Sequence, residues 1–166
     1  MSQDKPGSAE SHVCDVNQAE EIYRSCASEL IRYANALVGP SDAADVVSSA
    51  FLKALGSRGW SSIENHRAYL YRAVLNEVRS QYRSNMRRQV RELRVVSPEA
   101  VTDPEPRPDV LEALGRLSPM QRAVAYLFYM EDMDESSVAD TLQIGRGSVR
   151  KHLGRARDKL RQFLDV

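Results

Sequence analysis

Cysteine is scarce in this chain: Cys14 and Cys26 are the two in 166 residues. Two thiols make neither a disulfide framework nor a four-ligand metal set. His12 stands near Cys14, but two ligands without partners are no metal site, and no metal is expected. Aromatics amount to 7%, with a single Trp. Long apolar runs are missing, and a membrane-spanning helix needs about 18–20 such residues. The first residues (Ser2, Gln3, Asp4, Lys5, Pro6, Gly7) are polar and lack the apolar core of a secretory signal. A cytoplasmic protein without membrane insertion is therefore expected. Catalytic patterns are absent too. There is no Ser-His-Asp constellation and no glycine-rich phosphate loop, and His66 and His152 stand alone. No enzyme activity and no cofactor are expected. For His152, near the packing side of the last helix, a structural or phosphate-contact role is favoured.

Net charge is also missing, since 23 Lys and Arg face 23 Asp and Glu. Taken whole, that argues against a nucleic-acid binder, which carries a basic excess. Resolved along the chain, the balance separates into blocks. Residues 1–66 carry a net −4, 67–94 a net +6, 95–143 a net −7 and 144–166 a net +5. Exposed charges are screened beyond about 8–10 Å at physiological salt, so each block acts locally.

Polar composition makes residues 1–18 a disordered tail, serving as a flexible end or a partner or protease site. Helical spacing starts near Ala19, with Ile22, Tyr23, Cys26, Leu30, Tyr33, Ala34 and Leu37 on one face. Gly39-Pro40 ends that helix, and Asp42 is placed to cap the next. Val46, Val47, Ala50, Phe51, Ala54 and Leu55 form the second apolar face, broken by Gly56 and Gly59. Residues 57–65 read as a loop holding Trp60. A long helix over 67–94 has an apolar line through Val74, Leu75, Val78 and Tyr82. Another of its faces carries Arg72, Asn76, Arg79, Arg83 and Arg87. Four prolines in 97–108 exclude a helix there and predict an extended linker, set at 95–109.

The final part, 110–166, starts with Val110, Leu111, Leu114 and Leu117. Ser118-Pro119-Met120-Gln121 is a helix start, with Ser118 as cap, Pro119 at the first position and Gln121 closing a capping box. An acidic turn and a short helix over 136–142 follow. A last helix over 147–163 sets Val149, Leu153, Ala156 and Leu160 in a narrow stripe and cations elsewhere. Short helix, tight turn and basic helix make a helix-turn-helix. Its second helix enters the major groove and presents its N-terminal residues to base edges. Gln143 stands where the turn usually has glycine. A left-handed residue with a side chain costs about 1–2 kcal/mol, so Gly145 is expected to take the turn.

These residues carry a resemblance to bacterial sigma factors of the extracytoplasmic-function group, running from about Ala19 to Leu164. Leu117-Ser118-Pro119-Met120-Gln121-Arg122 is similar to the family's Leu-Pro-x-x-Gln-Arg. Val138-Ala139-x-x-Leu142 resembles its Ile-Ala-x-x-Leu, and Gly147-Ser148-Val149-Arg150 its Gly-Thr-Val-Lys. Leu153-Gly154-Arg155-Ala156-Arg157 looks like its Leu-x-Arg-Ala-Arg. In the first half, Asp42-Ala43-x-Asp45-Val46-Val47 and Arg67-Ala68-Tyr69-Leu70 resemble region two. Departures occur at Ser48 and Ser49, where the family has Gln and an acidic residue, at Ser80 for Asp, and at Gln143.

The resemblance implies an all-α chain of two small helical domains joined by the Pro-rich linker, the second with the helix-turn-helix. Region two, at 19–94, would bind core polymerase and the −10 element; region four, at 110–166, the −35 element. It implies that Arg146, Ser148, Arg150, Lys151 and Arg155 meet −35 DNA. The −10 set would be Trp60, Asn65, Asn76, Arg79, Arg83 and Arg87. For Trp60, stacking on a strand and sealing the core both stay open, the core being favoured. Asp45, Val46, Ser48, Ser49 and Phe51 would meet core RNA polymerase at the β′ clamp helices, the β subunit being a further contact. Promoter DNA and an anti-sigma factor are the other implied partners. A helix-turn-helix regulator that does not act as a polymerase subunit is the alternative. A third class is a module whose basic faces bind an acidic protein.

Overall fold

The computed structural model describes residues 9–92 and 113–164, with side chains over 17–87 and 113–163. Every regular element among them is helical: α1 (Ala9–Val38), α2 (Pro40–Leu55), a 3₁₀ turn (Trp60–Ser62), α3 (His66–Glu92), α4 (Pro119–Tyr129), α5 (Glu135–Leu142) and α6 (Arg146–Leu164). The all-α expectation holds. The linker expected at 95–109, and the helix start at Val110 and Leu111, lie outside the described residues.

Three local expectations are corrected. Helix α1 begins at Ala9, so residues 9–18, expected as tail, are helical. Val13, Val16, Ala19 and Tyr23 keep helical spacing, and each residue added to an existing helix gains a hydrogen bond without a new nucleation cost. The cap of α2 is Gly39 and not Asp42, which sits in the first turn behind Pro40. Gly39 has φ 88°, a conformation that disfavours any side chain, and its N–H closes α1 on the Asn35 carbonyl at 2.9 Å. Tyr82, expected on the apolar line of α3, is 48% exposed. It extends past the end of the core that Val74 and Val78 fill.

The first three helices pack around Leu30, Tyr33, Leu37, Val46, Val47, Leu70, Tyr71 and Val74, all essentially buried. Val124 and Leu127 of α4, Val138 of α5 and Val149 of α6 form the second centre, equally buried. At about 1.5–3 kcal/mol per fully buried aliphatic side chain, these positions carry most of the drive to fold.

The two halves share a core. The Tyr33 ring lies 5.3 Å, centroid to centroid, from Tyr126 on α4 and 4.8 Å from Tyr71 on α3. Such tilted aromatic pairs add about 0.5–1.5 kcal/mol beyond area burial. Burial raises the Tyr33 hydroxyl far above its ordinary pKa. Around this centre, polar contacts cross between halves. Arg67 donates to Glu29 and, at 3.3 Å, to Glu131 beyond α4. Tyr71 donates to the same Glu29 carboxylate at 2.8 Å. The Arg67 hydrogen bonds hold the Glu29 pKa at about 2 despite burial. Arg122 of α4 donates to the carbonyls of Leu117, Gly115 and, across the boundary, Leu37. Arg72 of α3 donates to the Thr141 carbonyl at 3.1 Å.

Candidate nucleic-acid interface

The last three helices are set by their ends. Ser118 and Gln121 form the expected capping box at α4: the Ser118 hydroxyl accepts from Gln121 N–H, and the Gln121 side chain accepts from Ser118 N–H. After α4, Asp132 takes φ 52°, which Asp tolerates better than most residues. Asp134 caps α5 by accepting from Ser137 N–H at 2.7 Å, and that bond lowers its pKa. Helix α5 closes with Gln143 itself at φ 52°, ψ 48°. Ile144 N–H reaches the Ala139 carbonyl at 3.0 Å and Gln143 N–H the Asp140 carbonyl at 3.4 Å. This pattern satisfies the free carbonyls of the helix end. The expectation that Gly145 takes the turn is therefore wrong; Gly145 has no positive φ. The turn geometry is the usual one, imposed on a residue with a side chain.

From that turn α6 leaves with Val149, Leu153 and Ala156 buried against α4 and α5. Leu160, expected in the same stripe, is half-buried. Arg146, Ser148, Arg150, Lys151 and Arg155 are all exposed, so the structure brings the expected −35 set together on one open surface. Arg150 Nε donates to Glu135 Oε2 at 2.6 Å. Arg157, two turns beyond Arg150, donates to the Tyr129 hydroxyl at 2.7 Å. His152 lies at the edge of the packed side, as expected. Burial, with the neighbouring charges of Arg155, Lys151 and Arg79 adding to it, lowers its pKa.

A second basic face lies on α3. Asn76, Arg79, Arg83 and Arg87 are exposed on the solvent side, at the spacing the sequence predicts. Arg87 Nε also reaches the Arg83 carbonyl at 3.2 Å. Two members of the expected −10 set have other work. Asn65 is the cap of α3, accepting from Ala68 N–H at 2.9 Å. Trp60 is buried, edge-on to Phe51 at 5.7 Å and to His66 at 4.6 Å. Its ring packs into the core, the place that the sequence favoured for it. Phe51, His66 and Tyr69 surround the indole with edge-on ring contacts.

On α2 the expected polymerase set divides. Asp45 and Ser48 are exposed and Ser49 is half-buried, but Val46 and Phe51 face the core. Val46 and Phe51 therefore pack beneath the exposed side of α2. Leu52, 68% exposed, stands on the outer side of α2, since neighbours on a helix point to different sides. Ser48 and Leu52 rim an open apolar cleft of ≈ 910 Å³ that also reaches Tyr23, Leu55 and Trp60.

Among the described residues no cluster of His, Cys, Asp and Glu could hold a metal ion. None of the described helices is long and apolar enough to cross a membrane.

Comparison with known proteins agrees with this geometry. Residues 22–88 match the family described as Sigma-70 region 2, and residues 107–160 match Sigma-70, region 4. The RNA polymerase sigma-E factor of Streptomyces coelicolor is 32% identical over 157 residues, covering 90% of this chain and 88% of that protein. The sigma-E factor of Streptomyces antibioticus is 29% identical over 159 residues, covering 92% and 87%. In fold, the chain is similar to the sigma factor RpoE of Bartonella quintana, solved in complex with the anti-sigma factor NepR. The TM-score is 0.69 at 24% identity, over 89% of this chain and 96% of that one. CnrH, solved with the cytosolic domain of CnrY, gives a TM-score of 0.61 at 24% identity, over 89% and 87%. The two region matches fall on the two helical halves, and the chain belongs to the RNA polymerase sigma factors, in their extracytoplasmic-function group, which serve in transcription initiation.

Proposed function

We propose that the two exposed basic faces read the two promoter elements. Arg146, Ser148, Arg150, Lys151 and Arg155 on α6 meet the −35 element. Asn76, Arg79, Arg83 and Arg87 on α3 hold the −10 region, mostly through phosphates. The observation that carries this reading is the register of α6. Val149 is fully buried while its neighbours Arg150 and Lys151 stand in solvent at the start of the recognition helix. That is the position from which a recognition helix reaches base edges. The cation pattern supports a groove-bound helix better than a solvated face, because the buried stripe is narrow and the turn is closed by backbone hydrogen bonds.

Core polymerase binds at α2, through Asp45, Ser48 and Ser49, with Leu52 adding apolar contact. The serines at 48 and 49 leave fewer charges there than the family pattern has. The polymerase supplies the chemistry, and the chain works in the cytoplasm at the nucleoid. An anti-sigma factor is the proposed regulatory partner, on the likeness to two sigma factors solved with such partners.

In vitro run-off transcription with purified core polymerase tests this. Promoter-dependent transcripts, lost on Arg83→Glu, are the expected result. Tight DNA binding without initiation at any promoter would leave only a helix-turn-helix regulator.

A further inference from the structure

Five side chains on α6 make up the proposed −35 surface. Among the described residues, Arg150 is the one of the five whose charge is held by a carboxylate. Arg150 Nε donates to Glu135 Oε2 at 2.6 Å. Glu135 is the first residue of α5, next to the Asp134 cap. A carboxylate in the first turn of a helix is favoured by the helix dipole. Both helices are anchored in the core: Val138 of α5 and Val149 of α6 are fully buried. The carboxylate is 30% exposed and the arginine 64%, so the pair lies at the open mouth of the motif.

An exposed pair of this kind contributes little to stability. Its effect on geometry is larger. A free arginine samples many rotamers and can turn to any phosphate within reach. Here the Nε side of the guanidinium is occupied. What remains free is the Nη1/Nη2 end, a planar fork matched to guanine O6 and N7. The Glu135 charge also repels phosphate oxygens that would otherwise compete for this arginine.

From this geometry we infer that Glu135 is a specificity-positioning residue: it holds Arg150 end-on for a base edge and denies it to the phosphate backbone. The inference rests on the proposed −35 role of Arg150. It differs from a structural role in the sign of its effects. Removing the carboxylate lowers sequence discrimination while raising affinity for DNA of any sequence.

The test uses the full chain with core polymerase on a promoter library randomised over the −35 element. Transcripts from wild type, Glu135→Gln, Arg150→Ala and the double variant are sequenced. Wild type is expected to prefer guanine at one −35 position, and Arg150→Ala to lose that preference. Glu135→Gln should weaken it about threefold to tenfold, part of the roughly fivefold to 150-fold that a bidentate contact gives. In parallel, the full chain binds a non-specific duplex over a salt series. Glu135→Gln should bind more tightly at low salt, with a slope of log K against log salt steeper by about 0.9, one added phosphate contact. Unchanged base preference in Glu135→Gln, with preference lost in Arg150→Ala, overturns the positioning role alone. Preference kept in Arg150→Ala overturns the reading of Arg150 itself. An equal effect of Glu135→Gln with and without Arg150 shows that the carboxylate acts by another route, and also overturns it. Thermal melting of each variant separates these results from loss of fold.

Discussion

Replacing Gln143 by glycine should stabilise the protein, even though the position lies in its most characteristic motif. Gln143 ends α5 at φ 52°, ψ 48°. A side-chain-bearing residue in that conformation costs about 1–2 kcal/mol. Glycine removes the cost but adds freedom to the unfolded chain, which takes back about 0.4–1 kcal/mol. The Gln143 side chain is exposed and makes no hydrogen bond among the described residues, so little packing is lost. The net gain is about 0.5–1 kcal/mol. In a protein of this size that raises Tm by roughly 1–4 °C. Thermal unfolding of the full chain, followed by circular dichroism, measures it. Gln143→Ala keeps the backbone cost and should melt close to wild type. Gln143→Val adds a β-branch at positive φ and should melt lower. If Gln143→Gly melts at or below wild type, the backbone is not the source of strain and the reasoning fails.

Four further outcomes follow from the same structure. Glu29 has a pKa depressed from 4.5 to about 2, chiefly by Arg67. Its contribution is complete above the unfolded pKa and fades as pH falls from about 4.5 towards 2. Glu29→Gln should therefore flatten that acid limb in urea unfolding, and an unchanged limb would refute the assignment. Arg122→Ala leaves the Leu37, Leu117 and Gly115 carbonyls without this donor. The expected loss is about 1–3 kcal/mol, read as a lower urea midpoint. Ser118→Ala breaks the capping box and should lose about 1 kcal/mol, with Gln121→Ala non-additive in a double-mutant cycle. Arg83→Glu should abolish initiation in run-off assays while leaving Tm nearly unchanged, since Arg83 is exposed; normal transcription would remove the −10 role of α3.

Much of the second half was legible because its signals are local. The capping box at Ser118 and Gln121 and the buried stripe through Val149 and Leu153 are patterns within a few residues, and the structure reproduces them. Wheel geometry also separated the cations of α6 and α3 from their packed sides. Local pattern failed where tertiary context decides. Trp60 is equally fit for a base stack or a core slot until Phe51 and His66 close around it. Val46 and Phe51 match a binding motif yet point inward, Phe51 onto Tyr23 of α1 and Trp60 of the 3₁₀ turn. The Glu135–Arg150 pair joins two helices through a turn whose angle the sequence does not state. Contacts between the halves, such as Arg67 with Glu131 and Arg122 with Leu37, join residues far apart in the chain, which leave no periodic trace.

The shared core has a consequence for reach. By their names, the −35 and −10 elements are centred about 25 base pairs apart, about 85 Å of duplex at roughly 3.4 Å per pair. With Tyr33 and Tyr126 rings 5.3 Å apart, the halves sit side by side, at a fraction of that distance. Holding both elements together requires the halves to part. Each contact between them then subtracts from promoter affinity what it adds to the free chain, because a ligand binds more weakly by the fraction of molecules not in the competent state. The stability of the resting protein and its hold on DNA are in this way two readings of one equilibrium.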